Sequence, residues 1–380
     1  MGRCARERRH HKPEAPFLLR RDGCGGAGKV YGDIAQGTAR VLYTPPLTHP
    51  AEHISREAIG YSLDWFAKTL QGGTPLPVND QIWFSKEFGC LLALAGFIVL
   101  LLGVFQLLLG LPIFSPLSVP PAAVAKPSTA APRGRAWWTA LLLMALVPAI
   151  LYYPVFAVAG NFIKASPYLP QGITNQIAAW ALVNAVLTLV LLWFAPKRAP
   201  RPGIVVPSIL IAAATVAVGY LSLVIADVLF KVDFRFWIVA LKLLSGKQAI
   251  MFLIYLLPFI VFFVVAFQSI RRNLYRPGEP AVATYLTCVA ALALGFLILC
   301  LTQYGTLWLD GKLIDPFPTV IGSVPLNTII AVQFMALLAI LGVMAAYTIR
   351  RTGTSLPGAL ICALFATWYI VAGQATQASF

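Results

Sequence analysis

Two histidines four residues apart, His49 and His53, followed closely by Ser55, are the side chains best suited to chemistry in this sequence. An imidazole titrates near neutrality, so it can take and return a proton where most side chains cannot. The same i, i+4 spacing would suit a metal on a helix, but Pro50 falls between the two histidines and no third ligand stands nearby. No metal or other cofactor is expected. Gly23, Gly25 and Gly28 spell GxGxxG, and Gly23 to Lys29 also fits GxxxxGK. A phosphate loop needs Ser or Thr after the lysine, where Val30 stands, and a dinucleotide turn needs a buried strand before it, which LLRRD is not. Both glycine motifs are therefore set aside. Of the cysteines Cys4, Cys24, Cys90, Cys288, Cys300 and Cys362, the last three lie inside long apolar runs and read as small hydrophobes.

The histidines need elements to hold them. Ala39 to Tyr43 (ARVLY) is predicted to be a short strand, and Pro45, Pro46 and Pro50 bracket a loop that carries His49. Ser55 is a plausible N-cap for a following helix, whose Ala58, Ile59, Leu63, Trp65, Phe66 and Leu70 recur on one broad face. Beyond Gly72 and Gly73 the chain runs toward long apolar stretches, with Trp83 and Lys86 as interfacial anchors.

Strand, THPAEHIS loop and amphipathic helix ending in LDWFAKTL together resemble the C-terminal end of an α/β-hydrolase domain, over about residues 30 to 75. That resemblance implies an ester or amide hydrolase acting through a serine acyl-enzyme, with His49 as general base and His53 and Ser55 as local supports. Some members of that superfamily carry a polytopic membrane domain behind the hydrolase. The departures are plain. No Gly-x-Ser-x-Gly turn occurs in the 380 residues, and Asp33 lies too close to the expected strand to fill the place of the triad acid. The expectation is a truncated or mis-started chain, inactive as given, in which residues 1–29 stand where the hydrolase body would be.

That opening segment holds eight basic residues, no apolar periodicity and no export signal. For the whole chain, 59% hydrophobic residues against 11% charged ones exclude an ordinary soluble domain. The formal charge of +15 sits mainly in this segment and in short loops, which argues against a nucleic-acid groove and leaves the lipid bilayer as the expected partner. The organisation expected is a basic segment over 1–29, a hydrolase remnant over 30–85 and a membrane domain over 86–380.

A helix needs about 20 apolar residues to span a bilayer. Eight stretches qualify: Gly89 to Phe114, Trp137 to Gly160, Asn175 to Phe194, Ile204 to Phe230, Gln248 to Ile270, Ala281 to Gln303, Asn327 to Ile349 and Leu356 to Gln374. The fold class expected is therefore an all-α polytopic membrane protein with a short α/β-hydrolase remnant. Alternate loops hold eleven basic residues against six in the others, which places the richer set in the cytoplasm and both chain ends outside an inner membrane. Phe234 to Ser245 reads as an interfacial helix, with a re-entrant hairpin as its rival. Pro148 and Pro154 should kink the second span and Pro258 the fifth. Only Asp227 brings a carboxylate into a span, near its end and near Lys231, while Asn184 and Gln333 are more central amides. A transporter or channel with a small soluble appendage is the rival to the hydrolase.

Overall fold

Continuous apolar stretches leave the backbone only one way to satisfy its polar groups in lipid, and the chain takes it by forming helices. The computed structural model describes residues 28–74, 76–118, 132–195, 201–316 and 324–377. It divides into two compact units, 1–85 and 86–380. In order, the helices are α1 (His49–Glu52), α2 (Arg56–Thr69), α3 (Trp83–Leu109), α4 (Arg135–Ile150), α5 (Tyr152–Phe162), α6 (Gly172–Phe194) and α7 (Val205–Phe230). They are followed by α8 (Gly246–Ser269), α9 (Ala281–Asp310), α10 (Val324–Thr352) and α11 (Leu356–Gly373). Seven helices among the described residues are long and apolar enough to cross a membrane, or eight when the bent pair α4–α5, which meets the same length and apolarity together, is counted as one span. The chain is an all-α polytopic integral membrane protein.

The bend of 41° between α4 and α5 has a local cause. Pro154 has no N–H to give the Ile150 carbonyl, and its ring crowds that group, so the helix breaks at Leu151. Trp180 on α6 donates its indole N–H to the Pro148 carbonyl just before the break, at 2.8 Å. Pro258 has a milder effect, because α8 runs through it unbroken and ends in a π turn at Ile270–Leu274.

Helices α9, α10 and α11 are the most enclosed, whereas α3 and α7 turn most of their surface outward. Apolar side chains gain little by leaving lipid for a helix interface, so close backbone approach matters more than burial. Gly295 on α9 shows this: a Cβ there would run into the Ala145 carbonyl oxygen of α4. Gly342 on α10 meets the Val289 backbone of α9 in the same manner. Around the break in α4–α5 the space is filled by rings. Tyr152 lies 4.2 Å from Phe156 and 5.4 Å from Phe296, and Trp180, Phe262 and Phe334 complete the cluster.

One expectation for the membrane unit fails. Phe234 to Ser245 is not an interfacial helix but holds a β-hairpin, β1 (Phe234–Phe236) paired antiparallel with β2 (Val239–Leu241). Its residues are aromatic and β-branched, types that favour strands, and an isolated two-strand ribbon is marginal in water. Docking rescues it. Val239 and Leu241 are buried, Phe234 packs on Phe97 of α3, and Trp368 of α11 donates to the Lys242 carbonyl at 2.8 Å. Trp237, in the two-residue turn, takes the left-handed conformation such turns demand.

A second correction falls in the N-terminal unit. Ala39 to Tyr43 is no strand; its pairing with the preceding segment is an isolated bridge, Tyr31 with Arg40. Gly32 at φ +84° and the Asp33 carboxylate, which accepts from the Ala35 and Gln36 N–H groups, turn the chain back, and beyond the bridge Gly28 at φ +79° gives its N–H to the Leu42 carbonyl out of register, so no regular ladder follows. Of segment 1–29 and the glycine motifs, all but Gly28 and Lys29 lie outside the described residues.

Candidate functional site

Ser55 does what its position predicts. Its backbone is extended, and its Oγ accepts the Ala58 N–H at 3.2 Å, which starts α2. Before it, Thr48 and Pro50 begin the single turn of α1, so His49 stands on a short helix and not in open loop. This brings the Glu52 carboxylate 3.1 Å from His49 Nδ1, with the His49 side chain about 69% exposed and that of Glu52 46%. The His53 ring lies edge-on to His49 at 5.7 Å.

Along α2 the polar side is laced by two i, i+4 pairs. Tyr61 donates to Glu57 at 2.7 Å, which raises the phenol above its usual range, and Lys68 donates to Asp64, which raises the ammonium. Tyr61 also stacks on Tyr43 at 4.2 Å with the rings nearly parallel. The apolar side is open: Leu63, Phe66 and Leu70 are all exposed. The soluble core expected to cover this face is not among the described residues.

Against α2 lies an open groove of about 730 Å³, lined by Arg40, Tyr43, Glu52, His53, Trp65 and Phe66 among others. His49, expected as the base, is not among its lining residues, whereas His53, expected only as a support, is. Ser62 also lines the groove, but its hydroxyl donates to the Ala58 carbonyl from mid-helix. Asp33 is spent on its own turn. Among the described residues no three or more His, Cys, Asp or Glu side chains stand close enough together to hold a metal ion.

Two of the polar residues noted within the spans, Asp227 and Asn184, have structural partners. Asp227 pairs with Lys231 at 3.9 Å, and Asn184 donates to the Trp180 carbonyl one turn back. The voids beside Asn184 and Trp180 are small, about 40 and 20 Å³.

The sequence reading missed a system that only the fold assembles. Arg133 reaches Glu279 through Nε and Nη2 at 3.1 and 3.3 Å, and Arg350 donates to the Glu279 carbonyl. Arg276 donates to the Pro132 carbonyl at 2.6 Å. Arg201 donates to the carbonyls of Thr352, Pro116 and Ser118, and Arg271 to that of Gly353. These bonds join the four connections α3–α4, α6–α7, α8–α9 and α10–α11 at one end of the bundle. Taken together they are the set of alternate loops richer in basic residues, but a charge count gives no hint of the carbonyls awaiting them.

These features define an integral membrane protein of the polytopic helical class with a small histidine-bearing unit ahead of its first span. No family model, curated protein or solved structure matches the chain.

Proposed function

We propose that this chain presents the histidine end of an α/β-hydrolase on the outer side of a cytoplasmic (inner) membrane, with its arginine-rich loops in the cytoplasm and its membrane domain as anchor. The observation that carries the reading is the His49–Glu52 pair just ahead of a Ser55-capped helix. A carboxylate on Nδ1 fixes the imidazole tautomer and leaves Nε2 as the basic nitrogen, the arrangement a general base requires. The bare face of α2, with Leu63, Phe66 and Leu70 exposed, is in keeping with a helix whose role is to pack on a larger body. With no Gly-x-Ser-x-Gly turn in its sequence, the chain alone is expected to hydrolyse nothing.

Two experiments test this. The first reads the genomic DNA and transcript through the first codon. A frame that runs into Val30 and encodes a strand, a Gly-x-Ser-x-Gly turn and a later Asp supports the hydrolase; stop codons throughout that frame overturn it. The second assays the purified chain in proteoliposomes with short p-nitrophenyl esters. Turnover abolished by His49→Ala would refute the claim that the nucleophile is missing. Orientation is read separately with a membrane-impermeant maleimide on Lys164→Cys and Arg351→Cys variants, with Cys4 and Cys24 replaced by Ser. Labelling of Lys164→Cys alone from outside is expected; labelling of Arg351→Cys alone would reverse the orientation, and labelling of both from one side would overturn it.

The rival, a transporter or channel, draws on the broken span at Leu151, because broken helices often line transport sites. Ring-filled packing and small voids around that break count against it.

A further inference from the structure

We propose that the arginine-laced end of the membrane domain is a docking surface for the headgroups of anionic phospholipids. Among the described residues, the four connections there and the helix ends beside them hold eight arginines: Arg133, Arg135, Arg201, three between 271 and 276, and the pair Arg350–Arg351. They hold one carboxylate, Glu279, which is nearly buried and already engaged by Arg133. Most of the other contacts run from guanidinium to backbone carbonyl. A carbonyl orients a guanidinium without neutralising it, so the positive charge stays while the side chains are held still.

The opposite end differs. There Lys164, Lys231, Arg235, Lys242, Lys247 and Lys312 stand against Asp227, Asp233, Asp310 and Asp315, with Lys231 facing Asp227 and Arg235 gripping Asp233. Four carboxylates for six cations, against one for eight arginines, leave that end a much weaker attraction for an anion.

Placement chooses the ligand. The arginines sit at the ends of membrane spans: Arg135 opens α4, Arg350 and Arg351 fall in the last turn of α10, and Arg271 and Arg272 follow α8. Arg133 lies over the Trp137 ring at 4.3 Å, and Trp138 beside it is half exposed. Tryptophan at a span end marks the headgroup level, so these guanidiniums lie at the depth of lipid phosphates. Planar guanidiniums bind phosphate oxygens in bidentate fashion, and clusters of basic residues next to a span attract anionic lipid. A nucleic acid would need a solvent-facing groove, which the headgroup layer would obstruct.

The test places the full chain in nanodiscs of phosphatidylcholine, with or without about one-third phosphatidylglycerol, and follows unfolding by tryptophan fluorescence. The anionic lipid is expected to raise Tm by about 3 °C or more. In Arg135→Gln/Arg351→Gln the rise should shrink by at least about half, with Tm in pure phosphatidylcholine little changed. Both residues are exposed, and no carbonyl bond described above depends on them. Lys164→Gln/Lys247→Gln at the other end should keep the full rise. An equal Tm in both lipids, an undiminished rise in the arginine variant, or an equal rise from soluble glycerol phosphate would overturn the proposal. Retention of an RNA oligonucleotide in place of lipid would do the same.

Discussion

At one end of the membrane domain, carbonyls that helix geometry leaves without partners are taken by guanidiniums; at the other they are taken by amides. The final carbonyl of α10, Thr352, and that of Gly353 accept from Arg201 and Arg271. The final carbonyls of α11 behave otherwise: Val371 accepts from the side chains of Gln171 and Gln248, and Gln374 also accepts from Gln171. Tyr255 and Asn175 tie the same region together at 2.6 Å. Both ends obey one rule, that helix C-termini must be capped, and meet it with different charge. A cation at a helix C-terminus also meets the favourable end of the dipole and makes stronger bonds, whereas an amide adds no field. The lesson is that an excess of basic residues on one side can be structural as well as topological. There the arginines sew loops together, and the amides do so where carboxylates offset more of the positive charge.

If that division of labour is right, the largest effect should come from the acid shared by the arginine end. Glu279→Ala leaves the half-buried Arg133 guanidinium with Thr287 alone of its polar partners in this cluster, and should cost about 2–3 kcal/mol of stability. Equilibrium unfolding in mixed micelles measures it. A loss no greater than that of Asp227→Ala, whose pair is exposed, would erase the distinction between the ends. Arg201→Gln comes next, at about 1.5–2.5 kcal/mol, because three carbonyls on two connections lose one donor. Arg201→Lys should not restore it. A point ammonium cannot span groups held by separate nitrogens of a fork. Gln171→Leu, at the amide end, leaves Val371 with Gln248 alone and strands Gln374 and the Thr174 hydroxyl, for about 1–2 kcal/mol.

The spans were legible because continuous hydropathy leaves no alternative to a helix, and the break at Leu151 because proline acts on its own neighbourhood. Capping by Ser55 was legible for the same reason: its partner is three residues away. What escaped depended on partners far along the chain. FRFWIVALKLLS has the make-up of either an interfacial helix or a strand pair, and only the walls offered by Phe97 and Trp368 decide for the hairpin. Arg201 and Thr352 are 151 residues apart, and nothing in either neighbourhood names the other. The histidines fall between these cases. Their spacing was plain, but Glu52 as the partner of His49, and His53 as the one on the groove, follow from the short helix that Thr48 and Pro50 start.

The smallest expected effect separates the two ends most cleanly, because it turns on the kind of interaction and not its size. Salt screens charges that solvent can reach and leaves neutral hydrogen bonds nearly untouched. Raising the salt from about 0.05 M to about 0.5 M should therefore shrink the penalty of Arg201→Gln by a few tenths of a kcal/mol, since Arg201 is only partly buried. The penalty of Gln171→Leu should stay constant, because Gln171 is buried and its donors and acceptors carry no net charge. Parallel unfolding curves of both variants at the two salt concentrations give the comparison. Equal salt sensitivity would mean that Arg201 acts through its hydrogen bonds alone. In that case the fixed positive field credited to the arginine end, and with it the attraction of anionic headgroups, would lose its physical basis.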